Sequence, residues 1–247
     1  MKQLNKNIIL ANLPKNRVNL SIFDEIASTN EVSKNIIIEN EFNLVLAEKQ
    51  TAGKGRHGKN WHSPKSGNIY MSLSTKKELN HSPVSLLVGI ICANVLSEYT
   101  IKGAVGLKWP NDIVVNNKKI GGILIEKEIS NNEITTIIGI GINFLIDSKE
   151  KWWGDLSDFN VSNKRNQIIS MIASNIINLF EKKNEDWINE WLRYCIHIDK
   201  KVKIIKTNNA SEDAIFKSID QDGCALLETE TGIRVFNSGE ISIKGVY

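Results

Sequence analysis

The loop from Gln50 to Trp61 has the composition of an anion-binding site. It reads Gln-Thr-Ala-Gly-Lys-Gly-Arg-His-Gly-Lys-Asn-Trp, with three glycines and three cations directly after an apolar run. Glycine lets the backbone approach a ligand closely, and lysine and arginine supply the charge that a phosphate requires. The letters also fit the dinucleotide and P-loop patterns, but both require a helix directly behind the glycines. A turn-forming segment with Pro64 follows instead, so the sequence predicts either an anion site of another kind or a solvated basic hairpin tip.

The segment Lys108–Asp112 is a second stretch whose residue types suit a binding site. It reads Lys-Trp-Pro-Asn-Asp between two predicted strands, and Lys118–Gly122, Lys-Lys-Ile-Gly-Gly, begins the next strand a turn later. If the strands pair as a hairpin, the two segments converge. Pro110 would then stop the ladder and expose the Asn-Asp pair, while the two glycines leave room for a ligand. Lys119 would reach the same cleft as Arg56.

These residues also have a purely structural interpretation. Trp109 would belong to the core, Asn111-Asp112 would form a turn, and Lys118-Lys119 would be a solvated edge that opposes aggregation. We prefer that interpretation for Lys118 alone.

The hydrophobic pattern predicts the elements that must position these segments. Helices are predicted at Ser28–Ile38, where Ser-Thr-Asn-Glu has the form of a capping box, and at Ser85–Tyr99, Gln167–Lys182 and Glu185–Tyr194. Strands are predicted at Leu20–Phe23, Leu44–Ala47, Ile69–Thr75, Leu107–Trp109, Ile113–Val115, Ile120–Lys127 and Ile134–Phe144. Asn116-Asn117 is a candidate tight turn, so the later strands are expected to form an antiparallel sheet rather than a βαβ series.

The character of the chain changes near its C-terminal end. Short alternating runs, separated by Asp-Gly, Thr-Gly and Ser-Gly pairs, predict strands at Val202–Ile205, Ala214–Ile219, Ala225–Glu228, Ile233–Phe236 and Ile241–Ile243. Strands at that spacing predict a small β-barrel. We therefore expect a boundary near His197–Lys200, with one domain over residues 1–199 and a second over residues 200–247.

Composition narrows the class of protein. The chain has 247 residues, 41% of them hydrophobic, which is enough for a substantial core. Its 31 Lys and Arg against 28 Asp and Glu give a net charge of +3, too small an excess to indicate nucleic acid by charge alone. Three separated cysteines indicate neither a disulfide framework nor a zinc cage. With no signal peptide or membrane-spanning run, a soluble cytoplasmic protein is expected.

Several of these segments occur in the order and spacing found in biotin–protein ligases, which this chain resembles. They are Ser28-Thr29-Asn30, Gln50–Trp61, Lys108–Asp112 with Lys119–Gly122, and Gly139-Ile140-Gly141-Ile142-Asn143. The resemblance runs from about Glu25 to the C-terminus and includes the tail. It implies an α+β fold in which a mixed, largely antiparallel sheet with flanking helices is followed by a small SH3-like barrel.

The resemblance also implies roles for individual residues. Biotin-binding residues would be Ser28, Thr29, Asn30, Gln50, Gly53, Lys54, Gly55, Arg56, Trp61, Lys119 and Gly122. ATP-binding residues would be Lys54, Arg56, Lys108, Asn111, Asn143, Trp152 and Trp153, with one of the two tryptophans near adenine. Lys119, Arg56 and Asp112 would be catalytic, and Mg²⁺ is expected with unassigned ligands. Lys54 departs from the family pattern, since many relatives carry arginine there.

The implied activity is the formation of biotinyl-5′-AMP from biotin and ATP, followed by transfer of biotin to a lysine of an acceptor. The glycine-rich loop would close over the intermediate and exclude water. Asp112 would orient or deprotonate the acceptor lysine. The resemblance further implies that the acceptor is the biotin carboxyl carrier domain of a carboxylase, and that a sheet edge supports a homodimer.

Three alternatives differ in chemistry. A lipoate–protein ligase shares the superfamily fold, and a transferase of that superfamily would need a catalytic cysteine, for which Cys92, Cys195 and Cys224 are poorly placed. A non-enzymatic nucleic-acid binder would use the basic loop on backbone phosphates. Some biotin ligases carry an N-terminal DNA-binding domain, but about twenty residues precede the first predicted catalytic strand here, so no DNA binding is expected.

Overall fold

The computed structural model describes residues 3–79, 83–130, 132–147, 150–182, 184–206 and 210–244. Its larger sheet has seven strands in the order β1-β2-β3-β7-β6-β5-β4. The bounds are β1 Val18–Ile26, β2 Phe42–Gln50, β3 Ile69–Thr75, β4 Val105–Lys108, β5 Asp112–Val115, β6 Lys118–Ser130 and β7 Glu133–Ile142. Each predicted strand of this part of the chain is therefore present.

The sheet is mixed because its first two strands run in the same direction. Strand β1 pairs with β2 in parallel, while every later neighbour in the sheet pairs antiparallel. Parallel neighbours require a crossover connection, and the short helix α2, Thr29–Asn35, provides it. The mixed, largely antiparallel sheet is confirmed, and its single parallel pair is what places the start of α2 beside β3.

The two faces of the sheet carry different side chains at β3. Ile69, Met71 and Leu73 belong to the hydrophobic core. Ser72, also fully buried, points to the other face, where α2 packs. The other helices are α1 Lys6–Leu10, α3 Val84–Ser97, α4 Arg165–Leu179 and α5 Trp187–Tyr194. All four pack together through contacts of α3 with α4 and α5, and of α1 with α4, so one layer of helices covers the core face.

The C-terminal strands form a separate five-stranded antiparallel sheet in the order β11-β10-β9-β8-β12. Their bounds are β8 Lys201–Lys206, β9 Ser211–Ile219, β10 Ala225–Thr229, β11 Gly232–Phe236 and β12 Ile241–Lys244. This sheet is the small β domain that the alternating runs predicted. The division of the chain at residue 199 stays a prediction.

A buried histidine joins the β domain to the larger sheet. His197 is 0% exposed, and its Nε2 accepts a hydrogen bond from the backbone N–H of Trp109 at 3.3 Å. Its ring packs edge to face on Phe216 with the centroids 4.2 Å apart. Trp109 in turn donates from Nε1 to the carbonyl of Gly223 at 2.9 Å. Trp109 is thus a core residue, and it fixes the segment that leads to Asn111 and Asp112.

Lowering the pH should therefore weaken this contact between the β domain and the larger sheet and reduce the stability of the fold. Burial, reinforced by Lys108 and Lys200, lowers the pKa of His197 from 6.5 to about 3. Above pH 6.5 the ring is neutral in both the folded and unfolded states, so stability is retained. As pH falls from 6.5 to about 3 only the unfolded chain takes up the proton, and His197 costs about 1.4 kcal/mol of stability per pH unit.

The test is the urea midpoint measured across that pH range. His197→Gln keeps an acceptor for Trp109 but cannot titrate, so its stability should fall less steeply with acid than that of the wild type. His62→Gln, at an exposed histidine, is the matched control. Equal slopes for the wild type and His197→Gln would show that this histidine does not carry the effect.

No helix within the described ranges is both long enough and apolar enough to cross a membrane.

Candidate active site

A cavity of about 560 Å³ opens above the side of the sheet on which α2 lies. It is lined by nearly all the residues predicted for the site: Ser28, Thr29, Asn30, Gln50, Lys54, Gly55, Arg56, Trp61, Lys108, Asn111, Asp112, Lys119, Gly122, Asn143, Trp152 and Trp153. Gly53 is the exception, because it is buried behind the lining. A Cβ there would meet the carbonyl oxygen of Trp61 at 2.5 Å, so Gly53 allows two segments of the loop to touch.

One part of the cavity is a network of buried amides and hydroxyls. Gln50 Oε1 accepts from the backbone N–H of Thr29 at 2.8 Å and from its hydroxyl at 3.1 Å. The Ser72 hydroxyl lies 2.8 Å from Thr29 Oγ1 and 2.5 Å from Asn30 Oδ1. Asn30 also donates to Glu126 Oε2 at 2.6 Å. These bonds hold donors and acceptors in fixed positions, as recognition of a small polar group requires.

The start of α2 differs in one respect from the capping box predicted there. Ser28 occupies the N-cap position with extended backbone, but its side chain makes no capping hydrogen bond. Glu31, the other member of the predicted box, pairs with Lys34 and Lys54 instead. The capping box is therefore wrong as a bonding pattern, and the side chain of Ser28 is left among the cavity-lining groups.

Two glycines of strand β7, Gly139 and Gly141, let side chains from other elements lie against the cavity floor. A Cβ at Gly139 would lie 2.9 Å from Asn30 Cγ, and one at Gly141 would lie 2.5 Å from Trp61 Nε1. The side chains of Asn30 and Trp61 lie directly against the backbone of these two glycines. Any other residue at either position would collide with them. Because alternate residues of a strand share a face about 7 Å apart, Gly139, Gly141 and Asn143 mark successive positions along the site.

A β-bulge turns Lys119 toward the cavity. Asp112 pairs with Gly122 and Ile113 with Gly121, but Val114 pairs with Lys119, so Ile120 is the extra residue. A one-residue shift moves a side chain to the opposite face of a strand. Lys119 therefore shares a face with Asp112, and its Nζ lies 2.5 Å from Asp112 Oδ1.

The hairpin turn behind this bulge is the predicted one. Asn116 and Asn117 both adopt positive φ, 50° and 60°, which is the backbone of a tight type I′ turn. Lys118 is exposed, as its structural interpretation predicted. The convergence of the two segments on one cleft is thus a property of this hairpin.

The glycine-rich loop crosses the cavity and carries Arg56 into it. Arg56 reaches Asn111 Oδ1 at 3.4 Å and donates to the backbone carbonyl of Ser238 in the β domain. Burial lowers the pKa of its guanidinium, against the opposing attraction of Asp112. His57 stays exposed on the loop. The structure therefore favours the anion-site interpretation over a solvated hairpin tip.

Two polar atoms among the lining residues are buried without a hydrogen-bond partner. Trp61 Nε1 is a donor and Asn143 Oδ1 is an acceptor. Lys119 Nζ lies 5.6 Å from the Trp61 ring. An unpaired buried polar atom costs free energy, about 1–3 kcal/mol, which a ligand of matching polarity would recover. Trp61 Nε1 is therefore available to donate a hydrogen bond to a ligand, and Asn143 Oδ1 to accept one.

Lys108 and the tryptophan pair complete the cavity. Burial lowers the pKa of Lys108 to about 8, with Lys119, Lys244 and Lys59 adding to the effect and Asp112 opposing it. Trp152 is 39% exposed and packs edge to face on Trp153.

Backbone pairing fixes the tryptophan segment beside Lys119. Lys119 donates its N–H to the Trp152 carbonyl at 2.9 Å and accepts at its own carbonyl from Gly154 at 2.8 Å. The ring of Trp152 is more accessible than that of Trp153, because Trp153 is also stacked on His62.

Sequence reasoning missed several contributors. Ser72 and Glu126 bond the polar network, and Ser242, Ile243 and Lys244 of the β domain line the cavity. For Ser72, the available signal was the presence of a serine within the otherwise apolar run Ile69–Leu73. The β domain contributions had none, because they depend on how two sheets meet.

The cysteines do not take part in the site. None of the three lies among the described residues that line the cavity. Burial raises the pKa of Cys92 and of Cys195 to about 12, and burial is also the main cause that raises the pKa of Cys224. Such thiols are poor nucleophiles at neutral pH, which disfavours the cysteine-based transferase.

A mixed sheet that carries a cavity in which hydrogen-bonding groups and cations converge is the architecture of a protein that binds a small polar or anionic molecule. The family model "Biotin/lipoate A/B protein ligase family" matches residues 22–143, and "Biotin protein ligase C terminal domain" matches residues 197–244.

Individual proteins agree with these matches. The bifunctional ligase/repressor BirA of Salmonella typhimurium is 31% identical over 242 residues, covering 92% of this chain and 74% of that protein. The biotin–[acetyl-CoA-carboxylase] ligase of Paracoccus denitrificans is 25% identical, covering 81% of this chain and 90% of that protein. A structure of the Aquifex aeolicus biotin protein ligase in complex with biotin and ATP has a TM-score of 0.76 at 26% identity, covering 92% of this chain and 98% of that one.

The chain belongs to the biotin/lipoate A/B protein ligase family, which confirms the resemblance and the ligase class.

Proposed function

We propose that this chain activates biotin with ATP to biotinyl-5′-AMP and transfers the biotinyl group to a lysine of an acceptor protein. The observation that carries the proposal is one cavity in which a buried amide and hydroxyl network adjoins a cluster of cations. The relatives named as biotin ligases, and the Aquifex aeolicus structure with biotin and ATP, support it.

The amide and hydroxyl network would hold the ureido head group of biotin. A ureido group offers two N–H donors and one carbonyl acceptor, so its binding site needs both kinds of partner. Ser28, Thr29, Asn30 and Gln50 supply them, and all but Gln50 are nearly fully buried. Lipoate carries no hydrogen-bonding group on its ring, so this network favours biotin over lipoate.

The cations would stabilise the phosphate chemistry. Biotin's carboxylate is already a nucleophile at neutral pH, so its attack on the α-phosphorus requires alignment and charge neutralisation rather than a base. Lys119 and Arg56, which both line the cavity, would stabilise the two anions as they meet. Trp61 Nε1 would donate to the biotinyl or phosphate oxygens, and Asn143 Oδ1 would accept from the adenine amine beside Trp152 or Trp153.

Magnesium fits the site as a partner of the nucleotide. Mg²⁺ in nucleotide sites is held mainly by phosphates and water with one or two carboxylates. Asp112 is the one carboxylate among the described lining residues, with Asn111 next to it. No cluster of three or more His, Cys, Asp or Glu side chains in the described ranges could hold a metal without the nucleotide. When bound, the ion would supply charge shielding to the leaving pyrophosphate.

Asp112 is proposed to act on the acceptor lysine in the second step. Its carboxylate pairs with Lys119, so it would lie beside the acyl group if Lys119 binds the reacting oxygens. Asp112→Asn should then slow transfer from preformed biotinyl-AMP by about 100- to 10,000-fold, as loss of a general base does. Single-turnover transfer from purified adenylate is the measurement. Transfer at the normal rate would remove this role from Asp112.

Lys108 should make nucleotide binding depend on pH. Its pKa of about 8 means that it loses its proton above pH 8 in the free protein, and bound phosphates would restore that proton. The Kd of ATP should therefore rise above pH 8, by about tenfold per pH unit at most. Titration calorimetry from pH 7 to 9.5 measures it.

The matched variant is Lys108→Arg, which keeps its charge throughout that range. Its ATP affinity should be flat with pH. If the wild type is equally flat, Lys108 does not contact the phosphates.

The acceptor, the cellular location and the assembly state are proposed on separate grounds. The acceptor is proposed to be a biotin carboxyl carrier domain, since the Paracoccus denitrificans relative is named for acetyl-CoA carboxylase. Three free cysteines support a cytoplasmic location. The homodimer stays a prediction, tested by sedimentation, and the absence of DNA binding stays one tested by a gel shift at varied salt.

Biotin-dependent exchange of labelled pyrophosphate into ATP tests the first step. The proposal expects exchange that requires biotin and is not supported by lipoate. Exchange with lipoate alone would reassign the substrate, and exchange with neither acid would contradict adenylation.

A further inference from the structure

The glycine-rich loop is tied together by its own backbone hydrogen bonds. The backbone N–H of Gly55 donates to Lys59 at 2.7 Å, and that of Trp61 donates to Gly53 at 2.8 Å. Lys54 and Asn60 form an isolated antiparallel bridge between the two arms. We call residues 53–61 the lid, because they cross the cavity and are bonded to one another; bonds to other elements then set their position.

Two side chains of the lid make such bonds on opposite sides. Arg56 reaches the Ser238 carbonyl in the β domain. On the other side, Lys54 Nζ lies 2.6 Å from Glu31 Oε1 on helix α2. Glu31 is outside the residues that line the cavity, so it holds the lid without a place in the binding surface.

The Glu31 contact continues into the polar network. Lys34 Nζ lies 3.1 Å from Glu31 Oε1 and 2.9 Å from Glu126 Oε1, and Glu126 Oε2 accepts from Asn30 at 2.6 Å. The lid is therefore linked to the head-group end of the cavity by alternating charges. The pKa of Glu31 is lowered mainly by Lys54 and then by Lys34, which agrees with a carboxylate held by both.

We propose that Glu31 is a positioning residue whose ion pair with Lys54 keeps the lid closed over the cavity. The expected consequence is that biotinyl-AMP is retained until the acceptor arrives, and this consequence rests on the proposed function. It also gives the lysine at position 54 a definite task. A single ammonium suits one carboxylate oxygen on a neighbouring helix, where a guanidinium would favour a two-point contact.

The expected effect is modest because the pair is partly in solvent. The Lys54 and Glu31 side chains are 47% and 37% exposed. Removing an ion pair of that exposure should change lid opening by about two- to fivefold.

The first readout is proteolysis, which needs no activity. Trypsin cleaves after Arg56 and Lys59 within the lid, so its rate reports opening. Glu31→Gln should be cleaved there about two- to fivefold faster than the wild type. Glu25→Gln breaks an ion pair with Lys49 of similar exposure away from the lid and should be cleaved at the wild-type rate.

A double-mutant cycle and salt separate the ion pair from a structural effect. Once Glu31→Gln is present, adding Lys54→Gln should cause no further increase in cleavage after Arg56 and Lys59. Salt at about 1 M should bring the wild type to the Glu31→Gln rate and leave the variant unchanged. Additive effects of the two substitutions, or a salt response that survives in Glu31→Gln, would overturn the proposal.

The second readout is release of biotinyl-AMP by the full chain incubated with biotin, ATP and Mg²⁺ without acceptor. Glu31→Gln should release it about two- to fivefold faster than the wild type and Glu25→Gln. Unchanged release and cleavage in Glu31→Gln would overturn the latch while leaving the ligase activity intact. If the wild type makes no biotinyl-AMP, the proposed function fails, and the cleavage rates alone decide whether Glu31 holds the lid.

Discussion

Replacing Lys119 by alanine is expected to slow formation of biotinyl-AMP by about a hundred- to a thousandfold, the usual cost of removing one preorganised group that stabilises transition-state charge. The β-bulge at Ile120 aims this side chain into the cavity, and Asp112 holds it at 2.5 Å. Its charge would then face oxygens whose negative charge grows as the phosphorus is attacked. ATP binding should weaken far less, since other cations line the same cavity.

Single-turnover formation of adenylate, together with the Kd of ATP, separates the two effects. Lys118→Ala removes the neighbouring exposed lysine and should change neither quantity. Equal losses in rate and in ATP affinity would mean that Lys119 only binds the nucleotide. Asp112→Asn in the same assay would show how much of the effect depends on the ion pair.

Replacing Gly139 by alanine should raise the Kd of biotin by about 10- to 100-fold, since each buried polar group left unpaired costs about 1–3 kcal/mol. A Cβ at this position would overlap the side-chain amide of Asn30. Asn30 would have to give up its bonds with Ser72 and Glu126, and it could no longer hold its place in the polar network. The added methyl would thus act through Asn30 and not through the ligand itself.

Titration calorimetry with biotin alone is the measurement. Gly89→Ala is the matched control, because a Cβ there would make ordinary contacts at 3.5 Å with Leu107. That variant should bind biotin as the wild type does. A normal biotin Kd in Gly139→Ala, with the fold retained, would show that the Asn30 network does not bind biotin.

Much of the fold could be predicted because its elements carry strong local patterns. Strand β3 has its predicted bounds, Ile69–Thr75, since a clear hydrophobic pattern bounded by turn-forming residues leaves little ambiguity. Helix α3 and the C-terminal strands agree within two or three residues for the same reason. The five residues of α1 were not predicted, because one turn of helix carries too little periodicity to detect. Nor did the pattern of β1 indicate that it would pair in parallel with β2.

The sequence predicted which segments form the site, but it did not predict the contacts between their side chains. The expected hairpin brought Asp112 and Lys119 to the same cleft as Arg56, and the structure brings the three together. The sequence could not show the bulge that turns Lys119, because a bulge depends on the pairing of two strands. It also could not show that Ser238 and Lys244 approach from the β domain, which depends on tertiary packing.

The capping box at Ser28 illustrates how a local rule yields to the site. Its letters are those of a box, yet Glu31 bonds two lysines and Ser28 faces the cavity. Local rules are expected to fail where side chains are used for binding.

The most direct test of the central claim is mass spectrometry of the protein incubated with biotin, ATP and Mg²⁺ and then given an apo biotin-carrier domain, with lipoate and its acceptor in parallel. We expect biotinyl-AMP first, then a single biotinylated lysine on the carrier, and no reaction with lipoate. Transfer of lipoate alone would contradict the assignment of biotin as substrate. The absence of an adenylate with either acid would contradict the claim that this cavity joins a carboxylate to a nucleotide.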